Sequence, residues 1–450
     1  MDKTSRALTP EAIAAITSRL SERNQEIQRL YPGESGRRQP VHVVYGGAHL
    51  FRVDTAQRLG ATALRVLEEY APDAARLGDA IGLPPALATS IYARVRDKLR
   101  AEPVEDFRLD FEDGYGNRSD AEEDGHAASS AREVARSVAS GQAPPYVGIR
   151  IKPFNEELRE RSIRTLDIFI SELLAASNGR LPPYFVVTLP KITSSEQVAA
   201  LVQLFERLES VLRLSPGTLR MELMIETTQS IFDDSGVCAL PALVAAGGGR
   251  VTAAHFGTYD YTASCGITAA YQHMRHPACD FARHVMQVAL AGTGIWLSDG
   301  ATNILPVPLH RATGDADLTP AQQQENHAAV HRAWKQHYDD IRHSLIHGYY
   351  QGWDLHPAQL VTRYAAVYAF FLQSLDAASE RLRNFIAKAA QATLVGEVFD
   401  DAATGQGLLN YFLRAMNCGA VREDEVERLS GLTLAELRSA SFVKIVRGRR

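Results

Sequence analysis

The chain has 450 residues, 45% hydrophobic and 22% charged, which is ordinary for a globular protein and long enough for more than one compact unit. A formal net charge of −5 with interspersed signs gives no electrostatic case for nucleic acid or a membrane surface, and the basic end RGRR (447–450) is too short to change that. Four widely spaced cysteines without a CxxC, no apolar signal core and no run of about 18 apolar residues point to a reduced, cytoplasmic protein.

Residues 9–30 read as a helix opened by Thr9 as N-cap with Pro10 at its first position. A Gly/Arg/Pro-rich turn (32–40) leads into a first strand, 41–46. Further strands are expected at 106–112, 147–152, 184–190, 219–226, 251–257, 294–298 and 349–355, with helical spacing between them. Several of these runs are apolar almost throughout, as parallel strands covered on both faces should be. Eight strands alternating with helices predict a (β/α)8 TIM barrel. The expected organisation is an N-terminal helix and linker (1–40), a barrel domain (41–360) and a C-terminal helical lid domain (361–450). The first crossover (54–101) has room for two helices, and 307–346 reads as a polar, His-rich helical insertion. Thr433 and Glu436 have capping-box spacing for the last helix.

Polar groups gather where successive strands end. RLDFEDGYG carries Asp110, Glu112 and Asp113; GIRIKPF carries Arg150; TLPKIT carries Lys191; MELMIET carries Glu226; HFGTYDYTAS carries Asp260. Barrel enzymes build their sites from such ends. Glu226 and Asp260, on neighbouring strand ends, would repel in a barrel mouth unless a hard divalent cation lay between them. The bland alternative is two solvated or helix-capping acids. Arg150 would hold a carboxylate in bidentate fashion and stabilise enolate charge, or form a structural ion pair with Glu112 or Asp113. Lys191 would serve the same charge or neutralise the acids. Asp110 and Glu112 flank Phe111 and should face one side. The pairs His327/His331 and His343/His347 have metal-ligand spacing but no HExxH acid, so solvated helix faces are the better reading. Gly247–Gly249 precedes a strand instead of opening a helix after one, so no phosphate loop is expected, and there is no GxSxG elbow.

In order and spacing, DFED (110–113), GIR (148–150), LPK (189–191), MIET (224–227), FGTYDYTASCG (256–266), LSDG (297–300) and GWDLHPAQ (352–359) resemble one superfamily. It comprises citrate lyase β subunits, malyl-CoA lyases, HpcH/HpaI-type aldolases and malate synthases, barrels that bind phosphoenolpyruvate or pyruvate. The resemblance covers about residues 40–360 and implies Mg²⁺, or Mn²⁺ in its place, on Glu226 and Asp260. It implies Arg150 on the keto acid or its enolate, with Asp110, Glu112 and Lys191 in the catalytic set around it. It also implies substrate contacts at Gly257, Thr258 and His356. GTYDY is closer to the malate synthase form, since Tyr259-Asp260 stands where the citrate-lyase branch has Glu-Asp. EVFDDAATGQGLLNYFLRAMNCGA (397–420) resembles the malate synthase C-terminal segment, which makes Asp401 the candidate general base, with Asp400 next. A helix N-terminal cap acid is the plain alternative. The first strand's loop reads YGGAHLF where the citrate-lyase branch has VPG or VPA.

The expected activity is a Mg²⁺-dependent carbon–carbon lyase or aldolase, or a malate-synthase-like condensation. It would act on a small keto or hydroxy acid, free or as a coenzyme A thioester. Rivals on the same barrel are thioester hydrolysis, phosphoryl transfer on an enolpyruvate-type ligand, and a non-catalytic relative. A homo-oligomer is expected, its C-terminal helices covering a barrel mouth, their own or a neighbour's.

Overall fold

The computed structural model describes residues 7–33, 36–312, 317–387, 393–395, 398–400, 402–439 and 441–449. Eight parallel strands close into a barrel in chain order: β1 (His42–Gly47), β2 (Asp106–Asp110), β3 (Tyr146–Arg150), β4 (Val186–Leu189), β5 (Arg220–Ile225), β6 (Val251–Phe256), β7 (Trp296–Ala301) and β8 (Gln351–Asp354). β8 pairs back onto β1 through His42–Gly352 and Val44–Asp354. The fold is the (β/α)8 barrel expected from the strand and helix alternation.

Period-two alternation decides what each strand shows to either side. In β2, DFRLD, Phe107 and Leu109 enter the main hydrophobic core under the outer helices. Arg108 reaches across the barrel to Glu222 of β5, so Asp106, Arg108 and Asp110 face inward. β5 repeats the pattern: Met221, Leu223 and Ile225 pack outward, and Met224 belongs to a separate small cluster with Val43 and Tyr45, with Trp353 against it. The barrel interior is therefore layered. A charged layer holds Asp106, Arg108 and Glu222, an apolar layer follows, and a second charged layer opens at the carboxyl ends.

The first crossover contains three helices, Thr55–Tyr70, Ala74–Ile81 and Pro85–Ala101, one more than expected. The segment read as a His-rich insertion forms the long helix Pro320–Ile346, the crossover between β7 and β8. Its buried face mixes Val330, Trp334 and Ile341 with Asn326, His337, Asp340 and Ser344. Those polar groups are satisfied; His337, for example, meets Thr362 Oγ1 at 2.7 Å and Asp354 Oδ1 at 3.1 Å. Hydrogen-bonded polar residues diluted the apolar period that would have marked an ordinary crossover.

The helix Gln359–Leu372 is buried almost all round and packs on Pro320–Ile346 and Pro85–Ala101 as the eighth outer helix. The boundary expected after residue 360 thus falls inside it. Beyond it come Leu375–Ala387, a two-stranded antiparallel pair (Thr393–Val395 with Val398–Asp400), Ala402–Asn417, Glu423–Ser430, Leu434–Arg438 and Phe442–Gly448. Arg414 donates to Gln39 at 3.3 Å and lies 3.9 Å over the Tyr350 ring. Both partners precede strands, so this contact of the C-terminal helices lies at the amino end of their own barrel, opposite the mouth. The N-terminal helix Pro10–Leu30, capped by Thr9 as expected, has no buried residue. Among the described residues no helix is long and apolar enough to cross a membrane.

Candidate active site at the carboxyl end of the barrel

Arg150, the last residue of β3, organises the mouth. Its Nε and Nη2 donate to the two oxygens of Asp110, at 2.7 and 2.5 Å. Asp110 closes β2 and is itself held by the backbone N–H groups of Glu112 (3.0 Å) and Gly114 (2.7 Å). The guanidinium lies 4.9 Å from the Tyr45 ring and 5.3 Å from the Trp353 ring, a cation against a pair of rings that pack on each other with centroids 4.2 Å apart. Burial pushes the Asp110 carboxyl up, yet the Arg150 pair and the two N–H donors hold it below the usual carboxylate range. Arg150 is raised well above its ordinary value, Asp110 and Glu112 overcoming desolvation.

The rest of the site is acidic. Lys191 follows β4 with a left-handed backbone, φ 49°, which a non-glycine residue rarely adopts. Its N–H donates to Glu226 Oε1 at 2.8 Å. Its ammonium pairs with Glu112, lies 3.1 Å from Asp113 and 3.4 Å from Asp260. Glu226, just past β5, is 1% exposed. Burial, then Glu112 and Asp260, push its carboxyl up to about 8. Burial, with Asp113 beside it, also pushes Glu112 up despite Arg150 and Lys191. Asp260 sits in the first turn of the short helix Thr258–Ser264 after β6.

Two buried atoms lack a hydrogen-bond partner here: Arg150 Nη1 and Glu112 Oε2, 2.9 Å apart but misaligned. The Trp353 indole N–H is a third. Such groups are costly unless something completes them.

Six residues singled out from sequence therefore meet: Asp110, Glu112, Arg150, Lys191, Glu226 and Asp260. Gly257 adjoins them in a particular way, because a Cβ there would collide with the Glu226 carboxylate. Thr258 turns away, its hydroxyl against Met274 Sδ at 3.0 Å. His356 lies beside the mouth, lining a cavity of about 330 Å³ with Tyr45, Gly46, Gly47 and Leu355. Burial lowers its imidazole below the ordinary value. Asp401 lies outside the described residues. Sequence reading missed Tyr45 and Trp353. The signal was available, since Tyr45 alternates with Val43 on β1 and Trp353 with Gln351 on β8, but an aromatic in a strand reads first as core.

The donor chemistry fits a hard divalent cation. Among the described residues no three His, Cys, Asp or Glu side chains converge closely enough to enclose an ion alone. Mg²⁺ rarely needs that, since it keeps several waters and takes one or two carboxylates. Glu226 and Asp260 provide two, and the upward shift of Glu226 beside like charges is what a cation would relieve.

Solved structures share the fold. A citrate lyase from Burkholderia xenovorans LB400 is similar at 18% identity, over 90% of this chain and 98% of that one, with a TM-score of 0.53. CitE from Mycobacterium tuberculosis in complex with magnesium, acetoacetate and coenzyme A is similar at 14% identity, over 85% and 99%, with a TM-score of 0.47. Haloferax volcanii malate synthase in its magnesium/glyoxylate complex is similar at 15% identity, over 90% and 98%, with a TM-score of 0.45. At such identities the first likeness shows the barrel and no more. No curated protein matches the sequence. The family model described as a domain of unknown function, DUF6986, matches residues 20–445, and the chain belongs to that family.

Proposed function

We propose that this protein is a Mg²⁺-dependent carbon–carbon lyase, or the same chemistry run as a condensation, acting on a small keto or hydroxy acid. The observation that carries the reading is the pair of incomplete buried atoms, Arg150 Nη1 and Glu112 Oε2, in a mouth crowded with carboxylates. Glu226 and Asp260 would hold Mg²⁺, or Mn²⁺ in its place, which when bound supplies Lewis-acid polarisation of a carbonyl. Arg150 is locked by Asp110 and keeps Nη1 for a substrate carboxylate or a developing enolate oxygen. Its fixed geometry leaves little to reorganise during reaction. Lys191 draws Glu112, Asp113 and Asp260 together and offsets their charge. Asp401 of a neighbouring subunit is the proposed base that moves the proton on the carbon next to the carbonyl, because the helix Ala402–Asn417 that follows it packs at the amino end of its own barrel. The cavity beside His356 suits the tail of a coenzyme A thioester, the second form in which the substrate would arrive.

Self-association belongs to the same reading. Ile13, Ile16, Leu20, Ile27 and Leu30 recur at heptad spacing on the N-terminal helix, all exposed. Light scattering behind a sizing column should show an oligomer that Leu20→Lys weakens.

The test of activity is cleavage and condensation assayed with pyruvate, oxaloacetate and glyoxylate, each with and without acetyl-CoA. Product should form only with Mg²⁺ or Mn²⁺, and Asp401→Asn should lower kcat by about 10²–10⁴-fold with little change in KM. Equal turnover in EDTA would contradict the reading.

A further inference from the structure

The opposite end of the barrel holds a second site. A cavity of about 760 Å³ opens at the amino ends of β2 to β8, within the usual size range of small-molecule pockets. Its floor is the inner charged layer, where the one guanidinium of Arg108 is shared between Glu222 (2.6 and 3.0 Å) and Asp106, so a single negative charge stays at the bottom. Its rim carries Arg180, Arg213 and Arg220. None of these three pairs with a carboxylate among the described residues; Arg220 donates only to the Gly249 carbonyl at 2.6 Å. Three uncompensated guanidinium groups around one opening make it an anion trap.

Aromatic rings line the same cavity. Tyr184 stacks on Tyr146, centroids 4.9 Å apart and planes 26° apart, and Trp296 meets Tyr146 edge-on at 6.0 Å. Tyr184 is 55% exposed, so a large π surface faces water. The backbone adds an independent sign. Only four described non-glycine residues have positive φ, and two of them, Tyr184 and Arg213 (both 58°), line this cavity. A third is Lys191 at the mouth. Left-handed tyrosine and arginine are conformationally costly and tend to persist where a site requires the side chain.

We propose that this cavity binds a nucleoside di- or triphosphate, its phosphates on Arg180, Arg213 and Arg220 and its base against Tyr184 and Trp296. A bare dicarboxylate would leave the aromatic shelf unused, and an apolar ligand would leave the guanidinium groups unanswered. The cavity lies at the opposite end of the barrel from Arg150, Glu226 and Asp260, so its occupant acts as an effector and not as the substrate there.

The experiment is calorimetric titration of the full chain with ATP, ADP, tripolyphosphate and adenosine, with Trp296 fluorescence read in parallel. ATP or ADP should bind saturably and quench a signal that Trp296→Phe removes. Arg180→Ala/Arg213→Ala should weaken binding by at least about tenfold, since charge-assisted contacts are lost. Both arginines are exposed, so the double variant should keep its melting temperature. No binding by ATP or ADP, or unchanged affinity in the double variant, would overturn the proposal. Tripolyphosphate binding as tightly as ATP would overturn its nucleoside part.

Discussion

The two charged layers of the barrel are built from the same parts and do opposite things. In each, an inward arginine holds two acids: Arg108 holds Asp106 of its own strand and Glu222 across the barrel, and Arg150 holds Asp110 at the end of neighbouring β2 and stands 2.9 Å from Glu112 just beyond it. In the inner layer Arg108 donates to every oxygen of both acids, and Thr188 and Gln351 add a second donor to one oxygen of each. Against the push of burial, Arg108 and His255 hold Glu222 below its ordinary value. At the mouth Asp110, Glu112, Asp113, Glu226 and Asp260 face only Arg150 and Lys191, and atoms are left over. Carboxylates whose oxygens are all hydrogen-bonded mark a layer that specifies the fold; crowded acids with unpartnered atoms beside them mark a layer waiting for a ligand.

The sharpest way to break the comparison is Arg108→Met. It strands two buried carboxylates and should cost about 3–5 kcal/mol of stability, read by chemical denaturation. A loss below about 1 kcal/mol would mean the inner layer is not the closed unit described. Gly257→Ala is the matching probe at the mouth, because its Cβ enters the space of the Glu226 carboxylate. Overpacking should cost about 1–3 kcal/mol, and Mg²⁺ affinity should fall with it; unchanged affinity would detach Glu226 from the metal.

A smaller effect concerns pH. Glu105 accepts the Val41 N–H at 2.8 Å and pairs with Lys98 and Arg38, each at 2.7 Å. Against the upward push of burial, Lys98, Arg38 and His42 hold its carboxyl at about 2. A carboxyl depressed on folding stabilises the native state above its unfolded value, near 4.5, and that contribution fades as pH falls toward about 2. The denaturation midpoint of the wild type should drop through that window. Glu105→Gln should flatten the drop, and an equally steep fall in the variant would assign the acid sensitivity elsewhere.

Much of this was legible in the chain. All eight strands follow from β-like runs, and the six residues that meet in the candidate site follow from the polar groups that end them. What escaped has physical reasons. Pro320–Ile346 read as a helical insertion instead of the ordinary β7–β8 crossover because His337, Asp340 and Ser344 lie on its buried face, satisfied by partners distant in sequence. Tyr45 and Trp353 were passed over because their role depends on which strand closes the barrel, and the β1–β8 pairing is long-range. Gly257 and Lys191 matter through backbone geometry, a forbidden Cβ and a left-handed turn, which composition does not display. The direction of the Thr258 hydroxyl, turned into the core against Met274, is likewise not displayed by its motif.

The most direct test of the central claim is calorimetric titration of Mg²⁺ into the wild type and Glu226→Gln, each metal-free at the start and paired with a melting curve. The wild type should bind Mg²⁺, and the variant should bind at least about 10²-fold more weakly. The metal-free variant should melt no lower than the wild type, because it removes a buried carboxylate crowded by Glu112 and Asp260. Equal Mg²⁺ affinity in both proteins would contradict the assignment of the barrel mouth as the metal-dependent site.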